Sequence, residues 1–213
     1  MEKFSNAEGY KIVFNLIDTI HSNREFLSEV DGAIGDGDHG INMDKGFSLA
    51  KLKISEDMNL SASLDTLGNM LLSEIGGSIG PLYGLFFKSL SSSCNSKEEI
   101  DKYIFLDMLK NAYTKITEIG NAKVGDKTLI DTLYPAYNAY KGAVDNKTFR
   151  ESLEIMIQEA EKGKDSTRDL VAKIGRSSRL GERSKGALDA GAVSCYLILK
   201  SITESIIKIL NNK

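Results

Sequence analysis

Three aspartates stand within eight residues, Asp31-Gly-Ala-Ile-Gly-Asp36-Gly-Asp38, and His39, Gly40, Ile41 and Asn42 follow directly. Two carboxylates ~4 Å apart repel by roughly 4 kcal/mol at an effective dielectric near 20. A fold keeps such a cluster where cations neutralise it or where the groups point apart into water. An all-oxygen donor set suits Mg²⁺ or Ca²⁺. The loop is not an EF-hand, because the twelfth position from Asp31 is Asn42 and from Asp36 is Phe47, where that motif needs glutamate. Mg²⁺ held by carboxylates usually takes substrate phosphates into its shell, so a phosphate ligand is implied. His39 is better suited to donate to a phosphate oxygen than to bind the metal. The ordinary alternative is a solvated Asp/Gly turn that caps the next helix.

Other glycine-rich stretches could join this loop. The chain has 19 glycines and 2 prolines. Fifteen of the glycines fall in the windows 32–46, 76–84, 120–125 and 175–191. Glycine concentrated in this way points to backbone at positive φ or close to a ligand. Gly76-Gly77-Ser78-Ile79-Gly80-Pro81 reads as a loop opening a helix, where free N–H groups and the helix dipole attract anions. Gly120-Asn121-Ala-Lys-Val-Gly125-Asp126-Lys127-Thr128 lacks the Gly-Lys-Thr order and the preceding strand of a P-loop. Its Asp126 is expected to cap the following helix. Residues 176–185 hold Arg176, Arg179, Arg183 and Lys185 against Glu182, laced with glycine and serine. A charge run is commonly a solvated face. An acidic metal loop and a basic phosphate loop are also complementary halves of one nucleotide site, which requires the four windows to converge.

The elements between these windows read as helices. Val13, Phe14, Ile17 and Ile20 recur at helical spacing after Tyr10. A second helix is expected over about 41–52, and a third carries Leu60, Leu64, Leu67, Leu71 and Leu72. A fourth starts at Pro81, which suits a first turn. Tyr103 to Ile116 stripes a fifth, and Leu129 to Tyr140 a sixth with Pro135 as a kink. Thr148 and Glu151 have capping-box spacing at the start of a seventh, and the pattern resumes after Asp165 to about Ile174. Val193 to Ile206 stripes the last. Residues 91–96 read as a loop, and only short stretches such as Tyr103–Leu106 suit a strand. The expectation is an all-α fold of about eight helices in one domain, 1–213, with no internal repeat.

Composition narrows the function. The 27 Lys+Arg against 30 Asp+Glu argue against a nucleic-acid partner or an anionic membrane surface. No window approaches 18 apolar residues, so no membrane span is expected. Cys94 and Cys195 are too few for a disulfide framework, and the first residues carry no secretory signal, so a cytoplasmic location is expected.

The segments IGDGDHGINMDKGF (34–47), GGSIGPLYGLFF (76–87), GDKTLIDTLYPA (125–136) and GRSSRLGERSKGALDAGA (175–192) resemble the L subunit of bacterial dihydroxyacetone kinases. The resemblance covers essentially the whole chain. It implies an antiparallel barrel of eight helices with a nucleotide site at one end. Two Mg²⁺ ions would be held by Asp31, Asp36 and Asp38. ADP or ATP would be contacted by His39, Gly40, Ile41, Asn42, Ser78, Ile79, Gly120, Asn121, Leu129, Arg176, Asp189, Ala190 and Gly191. No catalytic side chain is implied beyond these metal and phosphate ligands. The implied partners are a K subunit, which carries dihydroxyacetone on a histidine, and a phosphotransferase-system M subunit, which recharges bound ADP. A homodimer is also expected. The sequence departs from the family at Gly-Gly-Ser-Ile-Gly, where Ile79 replaces a common serine, at Asn121, and at Asp189-Ala190-Gly191, where the middle residue is often proline. Two alternatives stay open: an ATP-dependent L subunit of a related keto-sugar kinase, and a nucleotide-loaded coactivator of a transcription regulator. Related domains of fatty-acid kinases are fused to further domains.

Overall fold

The computed structural model describes residues 2–212. A short strand β1 (Lys3–Ser5) leads into α1 (Tyr10–Ser22), α2 (Arg24–Gly32) and α3 (His39–Lys51). Then follow α4 (Leu60–Glu74), α5 (Ile79–Cys94), the strand β2 (Glu99–Asp101) and α6 (Lys102–Gly120). The last three helices are α7 (Ile130–Ala143), α8 (Phe149–Ser166) and α9 (Ala190–Asn211), with a 3₁₀ segment over Arg176–Ser184 before α9. The two strands pair antiparallel, Phe4 facing Ile100.

Local chemistry accounts for several of these boundaries. Asn59 caps α4 by accepting from the Ala62 N–H at 2.8 Å. Asp101 caps α6 by accepting from Tyr103 and Ile104. The capping box at Thr148 and Glu151 is formed in both directions.

Eight of the nine α-helices among the described residues form a closed ring: α1, α3, α4, α5, α6, α7, α8, α9 and back to α1. Short connections make most neighbours antiparallel. The ninth, α2, packs on α3 outside this circuit and was not expected from the sequence. Its apolar stripe is short, with Leu27 alone fully inward. The core runs through the ring and holds Phe47, Phe86, Phe87, Phe105 and Tyr140, several of them edge-to-face.

Other expectations are corrected. Helix α5 starts at Ile79, so Pro81 falls on its third residue, and it continues through Ser91 to Cys94 where a loop was expected. Tyr103–Leu106 is helical, as the longer stripe to Ile116 implied, but two short strands that were not expected lie at 3–5 and 99–101, where Phe4 and Ile100 are buried together. Helix α8 stops at Ser166, and the apolar Leu170 to Ile174 belong to the irregular connection that follows.

Asp126 does not cap α7. Its carboxylate accepts from the Lys123 N–H, while Asp131 accepts from Gly125 and Thr128 at 2.6 and 2.7 Å and ties the turn.

Candidate functional site

The starts of α3, α5, α7 and α9 meet at one end of the ring. His39 Nε2 lies 2.8 Å from Ser194 Oγ. The Tyr83 hydroxyl donates to Gly191 O at 3.0 Å and lies 2.6 Å from the same serine oxygen. Thr132 Oγ1 donates to Ala192 O at 3.0 Å. The His39–Ser194 and Tyr83–Ser194 bonds are buried, where an unmade bond is expensive, so they fix the relative heights of these helix starts. Ser194 can donate to the Ala190 carbonyl at 2.9 Å. Burial pulls the His39 ring down to about 4, against the opposing effect of Asp31. The ring is therefore neutral at pH 7, and it faces the barrel interior.

The acidic loop sits on this rim. One carboxylate oxygen from each of Asp31, Asp36 and Asp38 lies within 4.8 Å of the others. Asp31 is the last but one residue of α2, so the unexpected short helix is the element that delivers it. Asp38 occupies the N-cap position of α3, but its side chain makes no capping bond and stays free to face its neighbours. Gly37, at φ +77°, makes the turn between the second and third aspartates. Three oxygen donors of this kind fit a divalent cation of the Mg²⁺ class. The Arg176 guanidinium pairs directly with Asp36 and lies 3.6 Å from Asp38, so the basic segment does reach the acidic loop.

The remaining windows complete the rim. Ser78 is the N-cap of α5 and makes no side-chain capping bond. A Cβ on Gly76 or Gly77 would meet nothing within 4 Å, so this loop presents bare backbone to open space. Ile79 is buried at the head of α5 and Leu129 at the head of α7. Asn121 ends α6 in the left-handed conformation, φ +52°. A Cβ on Gly120 would lie 3.6 Å from Leu82 of α5, and one on Gly191 would lie 3.5 Å from the Leu129 N–H. The third window thus borders the second, and the fourth borders the head of α7. Gly40 and Ile41 open α3, with Gly40 buried against α2 and Ile41 exposed. Asn42 lies on the same turn, its N–H bonded to the Asp38 carbonyl.

Asp189 caps α9 by accepting from the Ala192 N–H at 2.8 Å. Burial pushes its carboxyl up to about 7, the Ala192 bond opposes this, and the charge of Asp131 adds to it.

A family model described as the DAK2 domain matches residues 33–204. The chain belongs to the DAK2-domain family. Among its relatives is the "PEP-dependent dihydroxyacetone kinase 2, ADP-binding subunit DhaL" of Listeria innocua, 34% identical over 193 residues that cover 89% of each chain. The L-erythrulose kinase of Pectobacterium atrosepticum is 32% identical over 87% of this chain, but over 32% of its own length. The crystal structure of the dihydroxyacetone kinase from C. freundii in complex with AMP-PNP and Mg²⁺ superposes with a TM-score of 0.70. It is 22% identical, and this DAK2 chain spans 35% of it, so the likeness is one of fold. Among the described residues of the DAK2 chain, no helix is long and apolar enough to cross a membrane.

The buried residues that hold the rim together were not singled out from the sequence. Tyr83 and Ser194 each stand within an apolar run and read as core. Lys127 stands in a turn that reads as a helix cap, and Asp131 on the first turn of the helix that follows. Their only sequence signal was a polar group beside a glycine window.

Proposed function

We propose that this chain is the nucleotide-binding subunit of a dihydroxyacetone kinase, a single domain over 1–213 that holds ADP or ATP with Mg²⁺ at the rim of the helix ring. The observation that carries this reading is the convergence of Asp31, Asp36 and Asp38 with Arg176 and the open start of α5. Asp31, Asp36 and Asp38 would hold the magnesium, two ions in the fullest form of this reading. Bound there, the metal would neutralise charge on the transferred phosphoryl group. The backbone at Gly77 to Gly80 offers N–H groups to the remaining phosphate oxygens, and Arg176 can turn from the aspartates to the phosphates. His39 through Asn42, Gly120, Asn121, Leu129 and Asp189 through Gly191 would border the nucleotide. His39 would do so from the head of α3, where its ring Nε2 is bonded to Ser194 and its N–H to Asp31.

The relatives named as kinase subunits support a reaction shared with partner chains. A K subunit would present dihydroxyacetone, and a phosphotransferase-system M subunit would restore ATP on this chain. A cytoplasmic location and a homodimer belong to the same proposal. The erythrulose kinase relative favours a second reading, in which the acceptor is a longer keto-sugar and ATP exchanges freely.

Mass spectrometry of the purified protein after long dialysis tests the nucleotide. Retained ADP supports the recharged form, and an empty site with rapid ATP exchange supports the second reading. Asp36→Asn should lose nucleotide retention and phosphoryl transfer while its helical circular dichroism stays unchanged. A variant that still retains ADP and turns over at the full rate would rule out the metal assignment.

A further inference from the structure

We propose that Lys127 is a positioning residue: its ammonium ties the two ends of the connection between α8 and α9 together and thereby sets where Arg176 stands over the aspartates. The side chain is fully buried. Its Nζ donates to Thr167 O at 2.6 Å, to Leu170 O at 3.2 Å and to Ala187 O at 2.6 Å. An ammonium has three protons to donate, and all three are used. Thr167 directly follows α8, and Ala187 stands three residues before α9. One charged group therefore pins both ends of a segment that contains the whole basic window.

Lys127 carries two costs at once. A buried charge is expensive unless it is fully bonded and balanced. Asp131 and Asp169 bring opposing charge, Asp189 adds to it where it is ionised, and Arg168 works against them. The backbone of Lys127 is also left-handed, φ +61°, a conformation that disfavours side chains. Asp131 holds it there through the Gly125 and Thr128 N–H groups. A helix cap needs neither expense.

What the two costs achieve is a fixed stem for an otherwise exposed loop. Further bonds brace that stem: Gly186 N–H to Arg168 O at 2.8 Å, Asp189 N–H to Thr167 Oγ1 at 3.1 Å, and Lys173 N–H to Asp126 O at 3.1 Å. Within the loop, Ala172 N–H donates to Ser184 Oγ at 2.9 Å. Beyond the stem, the Arg176 side chain is 60% exposed and touches the rim through Asp36 and Asp38. Its position is thus inherited from the stem, and the stem is gathered on Lys127. The consequence for nucleotide rests on the function proposed above, but the geometric claim does not.

The full-length chain tests both parts. Lys127→Met removes the three donors, and Lys127→Arg keeps charge and donors but alters their reach. Amide hydrogen exchange is followed peptide by peptide, and release of a fluorescent ADP analogue is followed with Mg²⁺ present. In Lys127→Met, exchange over 171–187 should rise by about tenfold or more while the ring helices keep wild-type protection. Analogue release should accelerate by a similar factor with little change in its association rate. Lys127→Arg should fall between the two proteins on both measures, and it serves as the test protein if Lys127→Met does not fold. Unchanged exchange over 171–187 in a folded variant overturns the proposal. So does a rise spread evenly over all the helices, which would mark Lys127 as a general stability residue. A wild-type chain that binds no analogue counts against the proposed function alone, and the exchange pattern still decides the role of Lys127.

Discussion

Asp189 shows how far one residue's environment can move its chemistry. Its side chain caps α9 and lies buried near Asp131 and Lys127, and burial pushes the carboxyl up to about 7 from an ordinary value of 3.8. A raised folded pKa means that the folded chain binds the proton more tightly than the unfolded chain. Stability should therefore fall as pH rises from about 4 to about 7 and level off above that. Asp189→Asn keeps an oxygen to accept the Ala192 N–H but has no proton to lose. Urea unfolding from pH 4 to 8 should show the variant gaining on wild type across this window, by on the order of a few kcal/mol at the top. A constant difference between the two proteins would show that Asp189 titrates normally. The acidic loop illustrates the complementary point. Asp31, Asp36 and Asp38 were evident as an acidic cluster from type and spacing alone. That the His39 ring turns inward was not, because its partner Ser194 lies 155 residues away.

At the scale of elements, the short helix α2 matters more than its length suggests. It carries Asp31 near its C-terminus and packs on α3, which carries Asp38 and His39 at its start. The contact is close because Gly40 has no side chain: a Cβ there would run into the Arg24 carbonyl oxygen and crowd Ser28. Gly40→Ala should push α2 away from α3 and cost about 1–3 kcal/mol in thermal or urea unfolding. The same shift should weaken Mn²⁺ binding at the aspartates, read by calorimetry in the absence of nucleotide. Wild-type stability and metal affinity in this variant would mean that α2 docks more loosely than described. The sequence hid α2 because nine residues with one fully buried leucine give too little periodicity to register. The longer stripes of α4, α6 and α9 were legible for the opposite reason.

The whole molecule divides its labour between two ends. The rim gathers the starts of α3, α5, α7 and α9 and leaves backbone and charge exposed. The far end is closed by side chains that satisfy one another. Asn6 donates to Cys94 O at 2.9 Å and to Lys97 O at 2.7 Å, and it accepts from the Ser61 N–H at 3.2 Å. One buried amide thus joins the N-terminal segment, the start of α4 and the end of α5. Asn6→Ala strands these groups and should destabilise the fold by about 2–4 kcal/mol in chemical unfolding. Nucleotide affinity at 25 °C should stay within about twofold of wild type, since the folded fraction still dominates. A large loss of affinity in a folded variant would show that the two ends are coupled.

Sequence alone determined the class of the fold and the ingredients of the site. Helical stripes repeat locally, and each is legible from its own residues because a buried helix face needs apolar groups every three or four positions. The aspartate cluster and the basic segment are likewise properties of short windows. Tertiary structure decided which helix starts share a rim, that Arg176 reaches Asp36, and that Lys127 is a buried clamp where its sequence reads as part of a cap. These depend on contacts between residues 40 to 155 positions apart. Such contacts are set by how eight helices close into a ring, and no local pattern encodes that closure.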